Sequence, residues 1–316
     1  MSIIIQENII LSSYTIYKIG GRARFFVEVK NSEELKEALE MALAHDIKFF
    51  ILGAGSNILV SDKGFDGLVI RMVGGEIKVE DNKLIVDSGV MMASAVNASA
   101  KAGLTGFEWA IGVPGTVGGS VRGNAGCFGF EIKDFVESVQ VCQVSNVGCQ
   151  VSELTSKDCQ FGYRDTIFKK HPEWAILSVI LKLEKGDTPE IQARIKKISE
   201  ERTKKQDIGT KSCGCIFKNV SWTRSDIRKD VLLDKFPELK QFEGQLNIPA
   251  SFLIDESGFK GRCFGKICVS TKHANFFVNE GGATAEEVVI AIAAAKDAVK
   301  RKYGIVLEEE IQYVGF

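Results

Sequence analysis

Two glycine-rich loops are the first residues in this 316-residue chain whose types and spacing could do chemistry. The earlier loop is Gly53, Ala54, Gly55, Ser56 and Asn57, directly after a short apolar run. It begins like a dinucleotide fingerprint but lacks the third glycine. The next stretch, ILVSDKGFDGLVIRM, breaks at Gly64 and Gly67 and turns back into a strand instead of opening a helix. Such a loop can still cradle a phosphate with successive backbone N–H groups. The later loop runs over 103–129 and carries nine glycines, with GVPGTVGGSVRGNAGCFG at its centre. At that density neither helix nor strand is expected, and glycine there implies positive φ or close backbone approach. Trp109, Ile111, Val113, Val117 and Phe128 are interleaved, and a flexible linker has no use for them. The expectation is a packed loop wrapped around a flat or phosphorylated ligand.

The remaining reactive side chains are less specific. Cysteines stand at 127, 142, 149, 159, 213, 215, 263 and 268, with no CxxC pair and only His45, His171 and His273 beside them. No structural zinc site is expected from that spacing. Nothing at the N-terminus reads as a secretion signal, so reduced thiols in a cytoplasm are expected. Arg164 beside Asp165 reads by itself as a surface ion pair, and Glu308, Glu309 and Glu310 as a solvated acidic edge or a carboxylate site.

These residues need elements to position them. Apolar residues at 45% and charged residues at 26% allow a packed globular chain of two or three domains. A formal net charge of −1 gives no electrostatic reason to bind nucleic acid or an acidic membrane. No apolar stretch reaches the roughly 20 residues that span a bilayer. The pattern predicts an N-terminal strand or arm, then a strand over 25–29. A helix over 31–44 comes next, capped by Asn31 with Glu34 three residues on, and then a strand over 47–52. A hairpin over 76–86 precedes a helix over 91–102, stopped by Gly103. Strands are expected over 136–144 and 175–183, and an amphipathic helix over 190–205 with Ile191, Ile195 and Ile198 inward. The last helix runs from Thr284, boxed with Glu287, to about Tyr303, where Gly304 ends it, and a strand over 309–314 closes the chain.

Seven pieces in order resemble one known family: TIYKIGG at 15–21, ILGAGSNILVSD at 51–62, GFEWAIGVPGTVGGSVRGNAGCFG at 106–129, FGYRDTIFK at 161–169, KSCGCIFKN at 211–219, VSTKHANFFVN at 269–279 and LEEEI at 307–311. They resemble the UDP-N-acetylenolpyruvoylglucosamine reductases, the MurB family, over nearly the whole chain. A long insertion found in one branch is missing, so the chain looks closer to the type II branch. The resemblance implies an α+β fold. Its FAD-binding module, of p-cresol methylhydroxylase/vanillyl-alcohol oxidase type, would have subdomains at 1–73 and 74–203. A C-terminal α+β substrate domain would cover 204–304, with 305–316 returning near the active site.

The resemblance also implies chemistry. FAD, held without a covalent bond, would be contacted by Gly53, Ala54, Gly55, Ser56 and Asn57. Val113, Pro114, Gly115, Thr116, Gly118, Gly119, Asn124 and Gly126 would complete its site. NADPH would be the co-substrate and share the substrate pocket, and UDP-N-acetylglucosamine enolpyruvate the substrate, in a monomeric cytoplasmic bacterial enzyme with no metal. Arg164 matches the arginine facing the enolpyruvyl carboxylate, for which a permanently charged, forked guanidinium is suited. Glu310, just before Ile311, matches the catalytic glutamate. Tyr163 would support the carboxylate site, and Lys218 and Asn219 would meet the UDP phosphates.

Cys215 departs from the family, whose proton donor here is usually a serine in a pattern like GSxFKN. A thiol of reference pKa about 8.5 is a better acid than an alcohol and is mostly protonated at neutral pH, so it can take that role. Cys215 as a small buried apolar residue, and Ser212 acting in its place, remain open. So do two other functions, a non-catalytic FAD or UDP-sugar binding protein and another FAD-dependent oxidase of the same superfamily. Cys127, in the later loop, could carry a covalent flavin in the last case, although the family uses no such link. His273 is assigned no catalytic role.

Overall fold

A computed structural model describes residues 3–145, 148–205 and 209–316. Met1 and Ser2, the start of the expected N-terminal strand, and 206–208, at the head of the expected substrate domain, lie outside the described residues. The described residues form two compact units. The first contains 3–10, 22–55 and 65–204, and the second contains 11–21, 56–64 and the described residues from 205 to 316.

In the first unit, β1 (Gln6–Ile10), β2 (Arg22–Val29), β3 (Phe49–Leu52) and β4 (Phe65–Met72) form a sheet in the order β1-β2-β4-β3. The pairs β2–β4 and β3–β4 are parallel, as the β-α-β opening requires. The helix α1 (Ser32–Ala44) crosses between β2 and β3, with the Asn31 side chain accepting the Glu34 N–H at 2.8 Å. This is the expected N-cap, and it fixes where α1 begins.

A second sheet holds β5 (Ile77–Glu80), β6 (Lys83–Asp87), β7 (Val136–Ser145), β8 (Gly148–Thr155) and β9 (Trp174–Lys182), all antiparallel, in the order β8-β7-β9-β6-β5. Alternation gives β7 two buried faces. Val139 and Val141 enter one core with α2 (Met92–Lys101), while Cys142 and Val144 enter another with Leu35, Leu39 and Ala42 of α1. The helix α1 therefore lies between the two sheets of this unit, and Val27, Leu68 and Ile70 cover its other side. Gly103 takes φ +67° after α2, the left-handed stop that its position implied.

One expectation fails in the later glycine-rich loop, where Val117–Arg122 forms a short helix, α3, that contains Gly118 and Gly119. The reason is tertiary. A Cβ on Gly118 would lie 2.6 Å from the Ser88 Cβ, so this turn of helix packs directly on β6's outgoing loop and only glycine fits. The helix α4 (Thr188–Lys205) then closes the unit, with Ile191 buried as its pattern required.

In the second unit the 19-residue helix α6 (Ala285–Tyr303) organises one core. Val288, Ala291, Ile292, Ala295 and Val299 pack on α5 (Ala250–Glu256) and on the sheet of β10 (Cys263–Phe264), β11 (Ile267–Val269) and β12 (Phe277–Asn279). The Thr284–Glu287 capping box is present, and Gly304 ends α6 at φ +74°. The Asp62 carboxylate also accepts the Ala285 N–H at 2.9 Å. Ile58–Val60 pairs in parallel with β13 (Gln312–Val314), which ties the end of the chain into this unit.

Four of the eight cysteines depart from the reduced state expected of them. Cys142–Cys149 and Cys263–Cys268 are disulfides, each across neighbouring strands of a hairpin, with Cα atoms 5.5 and 4.0 Å apart. Hairpin register brought these pairs together, which spacing along the chain did not reveal. Cys127, Cys159, Cys213 and Cys215 stand outside the disulfides. Among the described residues no helix is long and apolar enough to cross a membrane, and no group of three or more metal-ligating side chains gathers.

Candidate functional site

In the first unit the two glycine-rich loops touch. A Cβ on Gly53 would lie 2.7 Å from the Thr116 hydroxyl oxygen, and that oxygen already accepts the Gly119 N–H at 3.2 Å as the cap of α3. Gly55 and Gly115 take φ +63° and +131°, positions that need glycine. Gly53, Ala54 and Gly55 thus lie against the 113–126 segment in this unit, while Ser56 and Asn57 belong to the second unit.

The 113–126 segment is held from behind. Met92 N–H donates to the Gly115 carbonyl at 3.0 Å and Gly118 N–H to the Ser88 carbonyl at 2.9 Å. Asn124 is fully buried at φ +43°; its Nδ2 donates to Glu131 at 3.1 Å and to the Gly162 carbonyl at 2.7 Å. Its amide therefore shapes the loop. Val113 is half-buried and Pro114 exposed.

Arg164 comes to the same loop. Its guanidinium donates to the carbonyls of Asn124 at 3.3 Å and Gly126 at 2.7 Å and lies over the Tyr163 ring, 5.4 Å from the centroid. Arg164 takes φ +55° in a tight turn closed by Gly162 and Asp165, whose backbones exchange hydrogen bonds of 2.9 and 3.2 Å. A non-glycine residue in the left-handed region costs energy, so this turn is set by its surroundings.

Buried polar atoms without a partner gather around this loop: the Ser88 hydroxyl, the Trp109 indole N–H and the Nε of Arg202. Arg202 is 8% exposed, and its Nη1 donates to the Cys127 sulfur at 3.2 Å. Burial pushes the Cys127 thiol up, and Arg202 opposes that shift. Loops with close backbone approach and unpaired buried donors fit a flat, polar, phosphorylated ligand such as FAD.

In the second unit Cys215 sits between Gly214, at φ +80°, and the buried Ile216 and Phe217. It bridges Phe276 on one side, and Phe217 bridges Glu309 on the other. Lys218 N–H donates to the Glu308 carbonyl at 2.8 Å and Glu310 N–H to the Ile216 carbonyl at 2.7 Å. The Glu310 carbonyl accepts from Asn57 Nδ2 at 3.3 Å, and the Asn57 carbonyl accepts the Gln312 N–H at 3.1 Å. So Ile216 and Lys218, in the segment of Cys215, are laddered to 308–310, and Asn57 joins the same backbone at Glu310. Lys218 Nζ lies 3.9 Å from Glu308, and the Asn219 side-chain oxygen accepts the Ala250 N–H, at the start of α5, at 3.0 Å. Cys213 is buried behind Cys215. Burial first, and then nearby Cys215 and Glu310, push its thiol up, so Cys213 stays protonated.

Sequence reasoning missed three supporting residues. Asn275, 1% exposed, clamps Phe217 by accepting its N–H at 2.9 Å and donating to its carbonyl at 2.8 Å. Asn279 donates to the Tyr17 carbonyl at 2.9 Å. Both lie in VSTKHANFFVN, where the only signal was an asparagine inside an apolar run. Lys296, on α6, pairs with Glu309 at 2.7 Å and carried no signal at all. His273 stacks edge-on against Phe276 at 4.9 Å, in keeping with a structural role.

Comparison with known proteins agrees over both units. Residues 206–314 match the family model described as UDP-N-acetylenolpyruvoylglucosamine reductase, C-terminal domain, and residues 23–145 match an FAD binding domain. The UDP-N-acetylenolpyruvoylglucosamine reductase of Clostridium tetani is 33% identical, over 98% of this chain and 92% of that one. That of Solibacter usitatus is 34% identical over 96% and 95%. The crystal structure of UDP-N-acetylenolpyruvylglucosamine reductase (MurB) from Thermus caldophilus superposes with a TM-score of 0.75 at 31% identity, covering 99% of each chain.

Proposed function

The chain belongs to the UDP-N-acetylenolpyruvoylglucosamine reductase (MurB) family of flavin-dependent oxidoreductases, and from that premise we propose that it reduces UDP-N-acetylglucosamine enolpyruvate to UDP-N-acetylmuramate with NADPH, a step in peptidoglycan precursor synthesis. The proposal places a single chain in a bacterial cytoplasm. It keeps the division into flavin subdomains 1–73 and 74–203 and a substrate domain 204–304. The observation that supports it most is the backbone ladder that joins Ile216 and Lys218, in the segment of Cys215, to Glu308 and Glu310.

FAD, held by the loops at 53–57 and 113–119, would supply the hydride chemistry between NADPH and C3 of the enolpyruvyl group. The chain's own residues have the rest of the work. Charge develops on C2 and spreads into the carboxylate, so cationic or hydrogen-bonding groups must be aimed there. Arg164 would hold the carboxylate, with Tyr163 beside it, while its remaining donors stay on the loop carbonyls. Cys215 would protonate C2 from its Sγ, and Glu310 would stabilise the enolate. Lys218 and Asn219 would meet the UDP phosphates. Backbone N–H groups of 53–57 and 113–119 would carry the FAD pyrophosphate, with glycine allowing the approach.

Acid denaturation of the purified protein is expected to release a yellow, FAD-sized chromophore. NADPH oxidation is expected to depend on the enolpyruvyl sugar. Colour that stays with the precipitated chain would point to a covalent flavin, and NADPH oxidation that needs only oxygen would favour an oxidase. Gly53→Ala forces Thr116 or the loop to shift, so FAD affinity is expected to fall about tenfold, the equivalent of about 1.4 kcal/mol. Titration of the apoprotein with FAD measures this, and unchanged affinity would place the cofactor elsewhere.

A further inference from the structure

We propose that Lys296 is a positioning residue: by pairing with Glu309 it fixes the register of the extended 308–311 segment against 216–218 and so presents Glu310, not a neighbouring glutamate, to the reacting atoms. This rests on the enolate-stabilising role proposed for Glu310.

Three consecutive glutamates make a strand whose register is poorly specified by its own sequence. A slip of one residue against 216–218 would exchange one glutamate for another opposite Phe217 and reverse every side chain's face. The backbone hydrogen bonds from Lys218 N–H to Glu308 and from Glu310 N–H to Ile216 are available in any register, because every residue offers the same peptide group. Specificity must come from side chains. Glu308 is held by Arg224 at 3.5 Å and Lys218 at 3.9 Å, at a site where its carboxylate is more than half exposed. Such an exposed pair contributes little.

Glu309 is held differently. Its carboxylate meets Lys296 Nζ at 2.7 Å with the two side chains only 35% and 23% exposed. The Tyr313 hydroxyl is pushed up by burial and then by its hydrogen bond to the same carboxylate. The two partners come from separate elements, α6 and β13, which converge on one side chain.

Lys296 is also a rigid reference. It lies mid-way along α6, a helix fixed at its start by the capping box and Asp62 and along its length by Val288, Ile292, Ala295 and Val299 in the core. Alternation then assigns the faces. With Glu309 turned to α6 and opposite Phe217, alternation along this extended segment would set Glu310 on the other side. Lys296 meets this strand at Glu309, so its effect on Glu310 passes through that neighbour.

The test uses the full-length flavoprotein with Lys296→Met, which keeps the apolar stem and removes the charge. Flavin reduction by NADPH and binding of the enolpyruvyl sugar, by calorimetry, are expected to stay near wild type. Reoxidation of the reduced flavin by that sugar is expected to slow about 100-fold, the scale of a 1 Å misplacement at a reacting centre. Lys296→Arg keeps the pair and is expected to restore the rate. The exchange Lys296→Glu with Glu309→Lys is expected to recover it to within about threefold, as coupling between paired residues requires.

A wild-type reoxidation rate in Lys296→Met would overturn the proposal. So would a loss shared equally by both half-reactions and by thermal stability, which marks a purely structural pair, and so would failure of the exchange to rescue. If Lys296→Met does not fold, the comparison of Lys296→Arg with Glu309→Gln decides on the same criteria. If the wild-type protein itself is not reoxidised by the sugar, the proposed function fails and the positioning role falls with it.

Discussion

Cys215→Ala is expected to leave flavin reduction by NADPH intact and to slow reoxidation by the enolpyruvyl sugar by about 10²- to 10⁴-fold, the span of a lost general acid. The split follows from position. Cys215 lies in the second unit, on the segment laddered to 308–310, whereas the loops that fit FAD lie largely in the first unit. Cys215→Ser is expected to keep activity and to lose the inactivation by alkylating reagents that a thiol brings. Competing thiols are separable. Burial pushes Cys159 up to about 12 and Cys213 up as well, so neither reacts readily. Cys127 is half-buried, and Cys127→Ala controls for it. Loss of both half-reactions in Cys215→Ala would instead assign Cys215 to folding or to flavin binding.

Arg164→Lys is expected to lower kcat/KM for the enolpyruvyl sugar by about 10²- to 10³-fold while FAD content holds. Lysine keeps the charge but loses the planar fork. In the present arrangement Nη1 and Nη2 hold the carbonyls of Asn124 and Gly126. A carboxylate arriving at this guanidinium therefore meets a group already aimed by its loop. Steady-state kinetics with flavin absorbance recorded on the same sample checks both halves. A colourless Arg164→Lys protein would show that the arginine builds the loop and would leave the carboxylate without its assigned partner.

Local chemistry made much of the fold legible. Asn31 with Glu34, and Thr284 with Glu287, are interactions within four residues, and the helices begin where those pairs lie. Gly103 and Gly304 end helices because only glycine takes the left-handed turn at little cost. Long-range contacts hid the rest. Nothing in GTVGGS reveals that Gly118 packs on Ser88, and without that contact a helical turn there is unfavourable. The disulfides needed the hairpin register, and the interleaving of 11–21 and 56–64 with the C-terminal unit needed tertiary contacts.

Of the candidate site, the glycine-rich loops were readable because their φ requirement is written in the residue type. The Asn124 side-chain amide donates to Glu131 and to the Gly162 carbonyl, long-range contacts that its motif does not reveal. Lys296 was silent because a helix face meeting a distant strand leaves no local pattern.

Anaerobic stopped-flow on the purified yellow protein tests the central claim most directly. The protein is reduced with NADPH, mixed with UDP-N-acetylglucosamine enolpyruvate, and followed by the flavin's visible absorbance. Rapid, stoichiometric reoxidation with formation of UDP-N-acetylmuramate is the predicted result. A flavin that stays reduced with this substrate, yet reoxidises when oxygen is admitted, would contradict it.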